Sequence, residues 1–193
     1  MQAALKLSRG IDWISEKVGS ALIWLILATV LISAINASVR KAFNIGSNAW
    51  LELQWYLFAA VFMLCAGYTF LHNAHVRIDF VASKLSARTR NWIDIIGIVL
   101  FLTPLCYLVI TLAWPLFVNA YNSGERSANA GGLIRWPVYM LVPLGMALLL
   151  MQALSELIKR VAFLRGLIPD PLAHKEPGQQ HGEDTAKDVE GSK

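Results

Sequence analysis

Four apolar stretches, each long enough to cross a bilayer, constrain this chain more than any other feature: Val18–Val39, Leu51–Leu71, Trp92–Val118 and Pro137–Ile158. About 20 mostly apolar residues carry a helix across the hydrocarbon core. Only helices and closed barrels satisfy their backbone polar groups there, and continuous apolar runs of this length select the helix. The expected fold class is therefore an all-α integral membrane protein with four transmembrane helices and amphipathic surface helices. In 193 residues, four spans with their connections leave little room for a soluble domain.

Charge follows the same plan. Residues 1–168 hold 14 Lys and Arg against 7 Asp and Glu, whereas the remainder holds 3 against 6. Ten basic residues fall on one side of the spans: Lys6, Arg9, Lys17, Arg77, Lys84, Arg88, Arg90, Lys159, Arg160 and Arg165. Four fall on the other: Arg40, Lys41, Arg126 and Arg135. The positive-inside rule then predicts both termini in the cytoplasm. Trp50, Trp55, Trp114 and Trp136 register toward the outer face and Trp13 and Trp92 toward the inner one, as an interfacial belt does; Trp24 lies deeper and is expected to pack against protein. Basic residues that follow topology in this way do not indicate nucleic-acid binding.

Segment boundaries follow from local pattern. Residues 1–17 alternate apolar and charged positions at helical spacing, which predicts an amphipathic segment on the inner surface; an early start to the first span is the alternative. The first apolar run exceeds the h-region of a signal peptide and reads as a retained anchor. The four-span domain occupies 18–165. Between its second and third spans, Asp79 is placed to cap a short inner surface helix over about 79–90. Pro104, Pro115 and Pro143 each remove a backbone donor and are expected to bend their helices. The connection 119–135 is rich in Gly, Ser and Asn and is expected to be flexible unless a partner orders it. The polar stretch 166–193 is expected to be a disordered tail.

Polar residues in the spans are few. Glu52 opens the second span; it reads either as a contact to a partner helix or to Arg135, or as a solvated carboxylate favoured by the helix dipole. Asp94 and Glu156 lie near the inner interface and read as solvated. No charge occupies the midplane of a span, which argues against a self-contained ion pathway. His72 and His75 share a helical face and cannot clamp a haem iron from opposite sides. Cys65 and Cys106 sit mid-span without metal spacing. No phosphate loop or nucleophile–base pair is present, so neither an enzyme nor a cofactor is expected.

The run His75-Val76-Arg77-Ile78-Asp79 resembles the H-V-R-x-D signature of the small membrane subunit of tripartite ATP-independent periplasmic (TRAP) transporters, the DctQ-like family. Trp50 and Glu52 open the preceding span, and Trp136-Pro137, Pro143-Leu144-Gly145 and Gln152 fall in matching places further on. The chain departs from relatives in having Glu52-Leu53 where they often show paired acids. The resemblance implies a large membrane subunit and a periplasmic solute-binding protein as partners, with uptake of a solute such as an organic acid driven by an ion gradient. Glu52, His75, Arg77, Asp79 and Arg135 are then the candidate interface or structural residues. A redox-complex anchor and a small autonomous exporter are the competing classes.

Overall fold

The computed structural model describes residues 2–44, 46–72, 85–129 and 131–171. Its helices are α1 (Gln2–Phe43), α2 (Asn48–Leu71), α3 (Ala87–Gly97), α4 (Thr103–Ser123) and α5 (Trp136–Leu164). A π-helical turn, Ile98–Leu102, joins α3 to α4 without a break. The result is all-helical, with four helical rods long and apolar enough to cross a membrane: α1, α2, the continuous α3–α4 rod and α5.

α1 is a single helix of 42 residues, about 63 Å long at 1.5 Å per residue, so it far exceeds a 30 Å core. The segment 1–17 is therefore no separate surface element. From residue 2 onward it is the first part of the same helix, and its buried positions, Ser8, Ile11, Ser15, Gly19 and Leu22, form one stripe at helical spacing.

The π turn has a cause in sequence. Pro104 offers no N–H, and in a regular helix its ring would press on the carbonyl four residues back. Widening the preceding turn lets the Thr103 amide reach the Ile98 carbonyl. The Thr103 hydroxyl donates to that same oxygen at 2.9 Å. At the start of α3, Ser86 is the N-cap, accepting from the Thr89 amide at 3.2 Å. Residues 87–90, expected to end an inner surface helix, instead begin the third rod. The rest of that expected helix lies outside the described residues, as do His75, Arg77 and Asp79.

α5 is the hub: it packs against α1, α2 and α4, and α1 also packs on α2. Glycines set the closest approaches. A Cβ on Gly145 would stand 2.6 Å from the Met63 carbonyl oxygen, and one on Gly67 would stand 3.3 Å from the Leu148 carbonyl oxygen. α2 and α5 thus meet backbone to backbone, as helices do where lipid removes the hydrophobic drive to associate. Gly19 likewise leaves room for the Tyr68 ring. Large apolar side chains cover the outside, with Phe101 and Leu112 of the third rod each 69% exposed. Trp24, expected to pack against protein, is 72% exposed and belongs to this apolar outer surface of the chain.

Candidate functional site at the two ends of the bundle

No Asp, Glu, Lys, Arg or His occurs between Lys17 and Arg40, Glu52 and His72, Asp94 and Glu125, or Arg135 and Glu156. The polar chemistry of the bundle is therefore confined to its two ends.

At one end, Glu52 rises from the first turns of α2 beneath the connection between α4 and α5. Its Oε1 accepts from the Ser127 hydroxyl and from Asn129 Nδ2 at 2.7 Å, and its Oε2 accepts the Leu133 amide at 2.7 Å. The connection closes on itself as well. The Ser127 amide donates to the Leu133 carbonyl at 2.9 Å, the Arg135 amide donates to the Glu125 carbonyl at 2.9 Å, and Arg126 and Ile134 form a β-bridge. Gly124 and Gly131 supply the positive φ values, 63° and 72°, that these turns require. A segment expected to be flexible is ordered from within the chain.

Arg135 completes this end, but its ion pair is with Glu125 at 3.1 Å, and it also donates to the Tyr139 hydroxyl at 3.3 Å. Glu52 and Arg135 line one open cleft of about 370 Å³ with Trp55, Tyr56 and Asn129, yet no direct bond joins them. The expected Glu52–Arg135 contact is thus replaced by contacts to the loop that both residues support.

At the opposite end lies an ion network that the reading of single residues missed. Arg160, 1% exposed, donates to Glu156 Oε2 at 2.5 Å and to Asp94 Oδ2 at 3.1 Å. Lys159 pairs with Glu156 at 2.7 Å and with Asp12 at 2.8 Å. Asp12 Oδ1 in turn accepts from Gln152 Nε2 at 2.9 Å and from the Ser155 hydroxyl at 2.7 Å. Ser8 and Ser155 share a 2.7 Å hydrogen bond, and Ser15 donates to Gln152 Oε1 at 2.7 Å. Glu156 is not solvated, being 2% exposed, and Asp94 is bound into the same network. α1, α3 and α5 are tied together here by complementary charge.

Polar stripes mark the helix faces that carry it, though not how those faces pair. Ser8, Asp12 and Ser15 recur at intervals of four and three on α1; Gln152, Ser155, Glu156 and Lys159 do so on α5. Such spacing places each set on one helical face. Beside the network, Asp170 accepts from Arg90 at 2.7 Å and from Asn91 Nδ2 at 2.8 Å. The residues just after α5, placed in a disordered tail by their composition, are thereby held against α3. The continuation from 172 lies outside the described residues. His72 contacts Glu16 at 2.9 Å, which ties the end of α2 to α1, and its ring lies tilted against that of Tyr68. Among the described residues, no group of three His, Cys, Asp or Glu is arranged to hold a metal ion.

The architecture is that of a small multi-pass membrane protein whose polar contacts hold a loop on α2 at one end and fasten helices together at the other. The model of the family described as tripartite ATP-independent periplasmic transporters, DctQ component, matches residues 29–163. The chain belongs to that family, and is a transporter subunit, not an enzyme. No curated protein and no solved structure matches it.

Proposed function

We propose that this chain is the small permease subunit of a TRAP-type secondary transporter, and that it acts as a rigid brace for a large membrane subunit. The observation that carries this reading is where the polar contacts fall. They lock the helices at one end and the α4–α5 loop at the other, while the depth between contains no Asp, Glu, Lys, Arg or His of the kind that couples an ion to a solute. A brace needs fixed helix geometry and an apolar exterior; a carrier needs a solute and ion site at depth. On this reading the large subunit holds the solute and ion sites, and a periplasmic solute-binding protein delivers the solute, of which an organic acid is the expected class. The excess of basic residues at one end supports an orientation with both termini in the cytoplasm of a bacterial inner membrane and the Glu52 end toward the periplasm.

Proteoliposomes with an imposed sodium gradient test this. The chain alone should accumulate no solute, and addition of the large subunit and the loaded binding protein should establish uptake. Uptake by the chain alone would overturn the brace and favour an autonomous exporter. A reporter active only in the periplasm, fused after Lys193, should stay silent; a strong signal would reverse the orientation.

A further inference from the structure

A groove of about 590 Å³ opens between the last turns of α1 and the first turns of α2, apart from the cleft beneath Glu52. Ser33, Asn36, Arg40, Lys41, Asn44 and Gln54 supply its polar lining, and no carboxylate is among the lining residues. Neither Arg40 nor Lys41 has an ion pair or side-chain hydrogen bond among the described residues. The nearest acid along α2, Glu52, is already engaged by three donors of the other connection. Arg40 is also supported from behind: a Cβ on Gly46 would stand 3.8 Å from its Cδ, so the loop backs the aliphatic stem. Two cations with amide and hydroxyl donors around them, beside the positive amino end of α2, form a receptor for an anion.

We infer that the groove holds the phosphate of an anionic phospholipid, such as phosphatidylglycerol, from the leaflet at this end. A soluble anion would need only the cations. The surroundings favour a lipid: Ala37 and Leu51 complete the lining, and beyond it Ile35, Phe43 and Trp50 are 61%, 70% and 51% exposed on the same helix ends. Their apolar surface lies where acyl chains meet headgroups, and Arg40 and Lys41 end an apolar helix at the depth where basic side chains meet phosphates. This site requires no assignment of which face of the membrane it occupies.

Native mass spectrometry of the full-length, delipidated chain tests the inference with phosphatidylglycerol and phosphatidylcholine as probes. One phosphatidylglycerol should be retained in preference to phosphatidylcholine. Arg40→Gln with Lys41→Gln should lower that retention roughly tenfold or more, as loss of two cations at a membrane surface implies. The charge-preserving pair Arg40→Lys with Lys41→Arg should keep most of it, which separates loss of charge from loss of fold. Four results would each overturn the inference. They are equal retention of both lipids, unchanged retention in the glutamine pair, equal loss in the charge-preserving pair, and displacement of the lipid by millimolar inorganic phosphate, which would mark a soluble-anion site. A glutamine pair that keeps its lipid but no longer captures the solute-binding protein would reassign the groove to a protein contact.

Discussion

The two ends of this bundle solve the same problem with opposite chemistry. At the Glu52 end, one carboxylate accepts from neutral donors and holds a loop. At the other end, three carboxylates and two cations bind helices to one another, with Arg160 and Glu156 almost fully buried. A loop needs only its free amides and hydroxyls satisfied, and a single half-buried acid does that. Helices in lipid gain little from apolar contact alone, so charge complementarity and close backbone approach must select their packing. The comparison teaches that burial, not charge itself, separates a local fastening from a global one.

The strongest way to break this comparison is Arg160→Leu. It leaves Glu156 and Asp94 short of a partner, and disruption of a buried pair costs about 3–5 kcal/mol. Unfolding in mild detergent should shift accordingly, and adding Glu156→Leu should recover part of the loss. A shift no larger than that of Glu52→Gln would abolish the proposed distinction between the ends.

Gly145→Val tests whether close approach works alongside charge. The new side chain meets the Met63 backbone, which cannot move aside as a side-chain tip can. The expected destabilisation is about 1–3 kcal/mol, with the ion network intact. Cross-linking between cysteines introduced on α2 and α5 near Gly145 should weaken, while cross-linking between α1 and α5 near Ser8 and Ser155 should not.

Asp170→Ala should have a smaller effect, on the order of 1–2 kcal/mol, because a partly buried carboxylate with two donors is lost. Truncation after Asp170 should leave the level of the chain in the membrane unchanged, whereas truncation before it should reproduce the alanine variant. Equal loss in both truncations would place a stabilising contact beyond 170.

Glu52→Gln should have the smallest global effect and a clear local one. Amide exchange at Leu133 and proteolysis between Ser127 and Arg135 should quicken while the unfolding temperature barely moves. A large fall in that temperature would make Glu52 part of the helix packing and erase the contrast between the ends.

Four rods and the family were legible in the sequence, because each rests on local information. Apolar length dictates a span, and His75–Asp79 with its flanking residues carries the family resemblance. Glu52 drew notice as the lone acid near the start of the second span, but its partners were not legible. A helix-start carboxylate has no preferred partner until the chain has folded, and Ser127, Asn129 and Leu133 stand 75 to 81 positions away.

The sequence by itself determined that the chain must be helical, must cross the membrane, and must keep its charges toward the span ends, since lipid penalises every alternative. Tertiary structure alone decided which charges are solvated and which are buried. Asp94 and Glu156 each look like ordinary interfacial acids on their own helix. Glu156 is buried, and Asp94 bound at the edge of the interior, only because α1 and α3 bring Asp12 and Asp94 to the face of α5 that presents Lys159 and Arg160. Pairing across separations of 66 and 147 residues is set by helix packing, which no local pattern specifies.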